Sequence, residues 1–349
     1  MAYKNETPAL VLSLVITFGL IGAGIWWITH QFHGSLPWQS SSSPSSGSAP
    51  IATGPAAKTF VDVPNVPSGV FNYGGSTSWA PIRGQIDPVI ESSFPNFRLR
   101  YTEPVTGTPG SSTGIRMLLD NQLTFAQSSR SLTSQEHQDA QQRGYKLEEI
   151  PVAIEGIAIA VHPGLNISGL TLNQIKGIYT GQITNWNQVG GPDLSITPYS
   201  RRTEDGGTVI FFVENLLAGQ PFGSNVKFIS TTTAALRAIS NDPGGIYYAS
   251  APEVVGQCTT KPLAVGRPNE NLVTPYQPPL VPSDQCPGRR NQINEEALKN
   301  GQYPITRRLF VIVKQNGQVD EQAGAAYANL LLSEQGQDLL SKAGFVRIR

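Results

Sequence analysis

Apolar and polar positions alternate in short blocks along most of this chain, and the period of the blocks switches between that of a strand and that of a helix. Ser68 to Tyr73 reads as a strand. Trp79 to Ile90 places Ile82, Ile86, Val89 and Ile90 on one helical stripe; Pro81 suits a first turn, whereas Pro88 argues against one unbroken helix. Phe97 to Val105 predicts a second strand. A helix opens after the small-residue loop Pro109-Gly110-Ser111-Ser112-Thr113-Gly114, and Leu123 to Ala126 is a short strand. Thr133 and Glu136 have the spacing of a capping box ahead of a polar helix, and Ile150 to Val161 reads as a buried strand. A second series follows: helix Leu172 to Tyr179, strand Leu194 to Ser200, helix Val209 to Leu217 and strand Gly244 to Ala249. Strand Arg308 to Lys314 and helix Glu321 to Leu332 close the pattern. Alternating strands and helices predict an α/β fold with parallel-type sheets, in which ligands bind at the carboxyl ends of strands.

The N-terminal pattern is of another kind. Pro8 to Thr29 carries no charged residue and is dominated by Leu, Val, Ile, Gly and Trp. About 22 residues at about 1.5 Å each span about 33 Å, enough to cross a bilayer. Trp26 and Trp27 stand where an interfacial aromatic anchor belongs. The run is longer than the apolar core of a cleaved signal, and no lipid-modifiable cysteine follows it. An uncleaved membrane helix within residues 1–33 is therefore expected, with a cleaved signal as the alternative. Residues 34–59 are rich in Ser and Pro and read as a disordered tether. As a coil it has an end-to-end distance of about 25–30 Å and keeps a globular part close to the membrane.

Charge and cysteines narrow the function classes. Lys and Arg number 25, as do Asp and Glu, so there is no general basic character to attract nucleic acid. Charged residues make up only 14% while Gly and Pro number 35 and 27, which fits a loop-rich secreted globule. The part beyond the tether is long enough for two α/β domains. Cys258 and Cys286 form no C-x-x-C pair, which argues against a thiolate metal site. Outside the cell they are expected to form a disulfide; two free buried thiols are the alternative. Neither a metal nor a cofactor is expected.

The loop Gly110 to Gly114 is where chemistry concentrates. Its glycines let backbone approach a ligand closely, its hydroxyls add donors, and the first-turn amides of the helix carry partial positive charge. That combination suits an anion. Gly74-Gly75-Ser76-Thr77-Ser78 and Asp205-Gly206-Gly207-Thr208 have the same character, so the fold is expected to bring three loops to one oxyanion. The same residues also fit the nucleophile-elbow pattern G-x-S-x-G, but the histidines are His30, His33, His137 and His162, and none has triad company. A serine hydrolase is thus a weak competitor, and no enzyme is expected. Arg202, four residues before Gly206, could fork onto an oxyanion or pair on the surface with Glu204 or Asp205. Arg201 could exchange roles with it, because neighbouring strand residues point opposite ways. Ser129 is either a donor and acceptor for a ligand or a turn hydroxyl. Thr77 and Ser78 are donors of the same class or helix caps.

Taken together, these segments resemble the periplasmic phosphate-binding proteins of ABC transporters, the PstS-like family. The likeness covers most of residues 65–349. It rests on Gly75-Ser76-Thr77-Ser78-x-x-Pro81, Pro109 to Gly114, Ser128-Ser129-Arg130 and Ile178-Tyr179-Thr180-Gly181-x-Ile183-Thr184-Asn185-Trp186. It continues through Ser200-Arg201-Arg202 with Gly206-Gly207-Thr208, and Gly245-Ile246-Tyr247-Tyr248. The Pro-rich excursion between the cysteines is similar to that of cyanobacterial members. The resemblance implies a two-lobed type II periplasmic binding protein fold, with lobe I from residues 60–150 and 253–349 and lobe II from 151–252. It implies inorganic phosphate held by Thr77, Ser78, Trp79, Ala80, Ser111, Ser129, Arg202, Gly206, Gly207 and Thr208. Hinge closure would capture the anion in the periplasm for an ABC permease in the inner membrane, to which the N-terminal helix would tether the protein. A tethered sensor of phosphate or another tetrahedral oxyanion, without transport, is the alternative. Two positions depart from the family pattern. The aspartate that accepts the proton of monohydrogen phosphate in its best-known members is Ser129 here, and a serine is replaced by Gly206.

Overall fold

Three parallel strands build the first part of the sheet, and each ends at a loop singled out above. β1 (Gly69–Gly75) turns Phe71 and Tyr73 into the core. The chain returns through two short helices, α1 (Ala80–Gln85) and α2 (Asp87–Ser93), to β2 (Phe97–Tyr101), which lies parallel to β1 with Gly69 opposite Phe97. The break between the helices falls at Ile86, two residues before Pro88, as the proline predicts. α3 (Ser111–Leu119) follows, and β3 (Phe125–Ser128) takes the other side of β1, with Tyr73 opposite Phe125. The loops after Gly75, Tyr101 and Ser128 therefore emerge on one edge of the sheet. This computed structural model describes residues 57–203 and 206–349. The expected membrane helix and most of the tether lie outside these residues. Among the described residues no helix is long and apolar enough to cross a membrane.

After the capped helix α4 (Ser134–Gln142), where Thr133 accepts from the Glu136 amide at 3.2 Å, comes the long strand β4 (Lys146–Val161). Its first half pairs antiparallel with β11 (Thr306–Gln315) and its last residues pair antiparallel with β8 (Gly245–Ser250). β6 (Thr197–Ser200) and β7 (Lys227–Phe228) extend the sheet beyond β8 in parallel. The order is β2-β1-β3-β11-β4-β8-β6-β7. The sheet is thus mixed: the parallel pairs that the alternation predicts are joined by antiparallel pairs at β11 and β4. The reason is connectivity: a chain that leaves one core along β4 comes back beside it on β11, and a return beside the outgoing strand runs the other way.

Two apolar cores flank this crossing and form the two lobes. The first gathers Phe71, Tyr73, Trp79, Phe97 and Phe125 against Tyr327 and Leu331 of the helix Val319–Leu332. The second gathers Ile157, Ile159, Tyr179, Trp186, Phe212 and Tyr248. α5 (Leu172–Tyr179) has the expected bounds, and α6 (Gly207–Phe211) widens into a π turn over Phe212–Leu216 that stacks Phe212 on Tyr248 at 3.6 Å. The boundary expected at residue 253 moves. Leu263, Val265, Ala297, Leu298, Tyr303 and Ile305 pack in the second core, so the chain returns to the first only along β11. Strand pairing accounts for this: β9 (Lys261–Pro262) pairs with β4, and β10 (Ala264–Gly266) pairs with β5 (Gly169–Thr171).

Cys258 and Cys286 are joined as a disulfide across a sequence separation of 28, with their Cα atoms 5.6 Å apart. Closing a loop of this size stabilises by about 3–4 kcal/mol in the chain-entropy model. Replacing both cysteines by serine should lower the unfolding free energy by roughly that amount in urea titrations. A reductant should bring the unmodified chain to the same midpoint.

Candidate anion site

The three first-lobe loops meet through their hydroxyls. Ser76 donates to Ser129 at 3.0 Å, the Ser111 and Ser129 hydroxyl oxygens lie 3.2 Å apart, and the Ser129 amide donates to Ser111 Oγ at 3.1 Å. All three serines are buried. Against them the second lobe sets Gly206-Gly207-Thr208, where α6 begins. Gly206 has φ 148°, a conformation in which a side chain is strained, so the family's serine is replaced where backbone geometry asks for glycine. A Cβ on Gly207 would stand 2.7 Å from both the Ser111 and Ser129 hydroxyls, and one on Gly110 would stand 3.3 Å from the Gly206 Cα. Loops from the two lobes are therefore in contact, with backbone on one side and hydroxyls on the other.

Of the expected ligand residues, Ser111, Ser129, Gly206, Gly207 and Thr208 come together here. Ser78 joins them with its hydroxyl 3.3 Å from that of Thr208, and the Thr77 hydroxyl lies 3.7 Å from where a Gly206 Cβ would be. Three others are placed differently. Trp79 buries its indole in the first core and donates from Nε1 to the Ser128 carbonyl at 3.1 Å. The tight turn Thr77–Trp79 engages the Trp79 amide with the Ser76 carbonyl and the Ala80 amide with that of Thr77, so both amides are used within the turn, and Ala80 is exposed. Arg202 is also exposed, with its guanidinium 5.2 Å from the Phe228 ring centre. Its neighbour Arg201 enters instead, with guanidinium nitrogens 3.7 and 3.8 Å from the position of a Gly206 Cβ. The exchange follows from alternation along an extended segment, which sends adjacent side chains to opposite faces.

The profile of the PBP superfamily domain matches residues 43–335, most of the chain. The chain belongs to the PBP superfamily. Among relatives, a protein of Pseudomonas aeruginosa named phosphate-binding protein PstS is 25% identical over 313 residues, 86% of this chain and 89% of the relative. Another of that name from Borreliella burgdorferi is 24% identical over 80% of this chain and 90% of its own length. Among solved structures, a phosphate ABC transporter substrate-binding protein of Clostridium perfringens with bound phosphate superposes with a TM-score of 0.64. It is 24% identical, and the match covers 80% of this chain and all of the other. An ABC-type phosphate transport receptor from Vibrio cholerae gives 0.60 at 23% identity, covering 79% and 99%. At these identities the structures establish the fold.

Within this PBP superfamily member, two charged residues at the loops have no counterpart in the sequence expectations. Arg307 on β11 donates from Nε to Glu155 Oε2 at 2.6 Å, and from Nη2 to the hydroxyls of Ser78 at 2.7 Å and Thr208 at 2.8 Å. Glu155 on β4 is fully buried and also accepts from the Ser250 hydroxyl. A signal was present: in β11 Arg307 takes the same register as the apolar Leu309, Val311 and Val313 and is buried, while Arg308 is exposed. Behind the loops lies a buried support. Arg83 donates to the Ser76 carbonyl at 3.1 Å and to Gln127 Oε1 at 2.9 Å; Gln127 donates to Tyr327 at 3.0 Å. Tyr327 and Tyr73 both donate to Asp87, at 2.8 and 2.5 Å. Burial pushes the Asp87 carboxyl up to about 7, against the pull of these two hydrogen bonds. Burial and the neighbouring Glu155 do the same to Glu253, also to about 7. His137 faces Glu149 at 3.7 Å and His162 accepts the Gly164 amide, so neither serves Ser111 as a base.

Gly207→Ala should destabilise by about 1–3 kcal/mol, because the new methyl must displace two buried hydroxyls. Gly84→Ala, with nothing within 4 Å of its Cβ position and inside α1, should be neutral or gain up to about 1 kcal/mol. Urea denaturation of both variants checks the contrast. For Asp87, the folded chain keeps a proton between the ordinary 3.8 and about 7 that the unfolded chain has lost. Its contribution is fully present below the lower value and is lost as pH rises through the upper. The unmodified protein should therefore lose more than about 1 kcal/mol relative to Asp87→Asn between pH of about 4.5 and about 7.5, measured by denaturation at both.

Proposed function

We propose that this chain is an extracytoplasmic solute-binding protein that captures inorganic phosphate for an ABC transporter by closing its two lobes over the anion. The observation that carries this is the apposition of the second-lobe Gly207 backbone with the buried Ser111 and Ser129 hydroxyls of the first lobe. Arg201 stands beside it at Gly206. Each lobe holds only part of the donor set, so an oxyanion gains all its hydrogen bonds only in the closed form and shifts the population toward it. β4 and β11, the strands shared by both lobes, are the hinge. No bond is made or broken. The names of the relatives, phosphate-binding protein PstS, support the choice of ligand.

Ser129 in place of a carboxylate alters how the ligand is read. A hydroxyl both donates and accepts, so it hydrogen-bonds a protonated or an unprotonated oxygen, whereas a carboxylate demands the proton. Discrimination against sulfate is accordingly weaker than a carboxylate would give. The uncharged run Pro8 to Thr29 would hold the protein on the periplasmic face of the inner membrane, next to its permease. The same run favours the second reading, a tethered sensor without transport. High-affinity phosphate uptake that persists unchanged in a deletion strain would select the sensor.

Calorimetry with phosphate, arsenate, sulfate and molybdate tests the ligand. Phosphate should bind and raise the melting temperature; absence of both effects with every anion refutes the proposal. Arg201→Ala should lose at least about 2 kcal/mol of binding free energy, because a buried anion loses a charged donor. Arg202→Ala should stay within about 0.5 kcal/mol of the unmodified protein, because Arg202 is exposed and its guanidinium lies over the Phe228 ring.

A further inference from the structure

Arg307 is held from three directions, and one of its nitrogens is left over. Its side chain is 3% exposed. Nε is fixed by Glu155, and Nη2 by the hydroxyls of Ser78 and Thr208, which come from loops on opposite lobes. The Phe211 ring lies 5.5 Å from the guanidinium carbon. Nη1 is buried and has no hydrogen-bond partner. The guanidinium is planar and rigid, so pinning Nε and Nη2 also fixes Nη1, which shares its carbon with the nitrogen that meets the Ser78 and Thr208 hydroxyls. Buried charged donors are normally satisfied, and one left open at a cluster of ligand-type groups calls for an explanation. Glu155 already balances the charge, and its own second oxygen is taken by Ser250. What Nη1 lacks is an acceptor oxygen, not a counter-charge.

We propose that Arg307 is a second ligand-contacting arginine of the anion site, its Nη1 donating to one oxygen of the bound tetrahedral oxyanion. The assignment rests on the oxyanion-binding function proposed above and adds to it. Because Arg307 sits on the hinge strand β11 and its Nη2 bridges Ser78 and Thr208, it reaches the ligand at the point where the lobes meet. Its neutralised charge makes it a source of direction more than of net attraction. A planar donor held in one orientation favours an oxygen presented at a fixed angle.

The test uses the full chain in detergent, titrated with inorganic phosphate by calorimetry. Arg307→Lys keeps a cation beside Glu155 while removing the fork; the double variant Arg307→Gln with Glu155→Gln removes both charges together. Circular dichroism and melting establish that each folds, and Arg307→Lys alone suffices if the double variant does not. The expected result is phosphate binding weakened at least about tenfold in the folded variants, with a phosphate oxygen within hydrogen-bond reach of Nη1 in a crystal structure of the complex. Binding within about twofold of the unmodified protein, or a complex in which Nη1 faces water or protein, overturns the role of Arg307 while leaving the phosphate site intact. If the unmodified chain binds none of phosphate, arsenate, sulfate and molybdate, the oxyanion reading itself fails and Arg307 falls with it.

Discussion

Burying a small, highly charged anion requires replacing its water shell with protein donors, and one residue's backbone cannot supply them from one side. In the proposed anion site the answer is close approach. Gly207 comes so near Ser111 and Ser129 that a methyl group would already collide with both hydroxyls. The approach asks for backbone without a side chain on one lobe and short hydroxyl side chains on the other. Gly206 adds a dihedral angle in which a side chain is strained. Much of the rest of the architecture holds these two surfaces opposite each other.

The sheet does this through its connectivity. Parallel strands β1, β2 and β3 deliver three loops to one edge, and β4 and β11 carry the chain out of the first core and back. A strand of 16 residues is about 50 Å long at the usual rise, enough to contribute to both cores. The two crossing strands also carry Glu155 and Arg307, so the charged pair at the loops is anchored in the strands that join the two lobes and not in either lobe alone. The cost of burying such a pair is offset by the hydroxyls that complete it, from Ser250, Ser78 and Thr208.

Polar groups behind the site follow the same logic. The chain of contacts from Ser76 through Arg83, Gln127 and Tyr327 to Asp87 runs through the first core and fixes the loop that supplies Thr77 and Ser78. Each member is within one hydrogen bond of the next, which makes the loop's position a property of the core and not of the loop residues. Burial raises the Asp87 carboxyl at the end of this chain to about 7, against the pull of the tyrosine hydrogen bonds.

The order of strands and helices was legible from period and punctuation. Pro88 marked a helix break, Thr133 and Glu136 marked a cap, and the three Gly/Ser/Thr loops marked the region of the site, because each of these is a local property of a few neighbouring residues. The resemblance to phosphate-binding proteins added the two-lobed fold. Other features were settled only by contacts between distant parts of the chain. Arg201 and Arg202 are chemically identical, and only the direction of the preceding strand decides which one turns inward. Trp79 and Ala80 sit in the right loop, yet a tight turn directs their amides elsewhere. The return to the first lobe waits until β11, since Pro262 and Val265 find strand partners in the second. Arg307 lies 229 residues from Ser78, and no local pattern reports a contact at that separation.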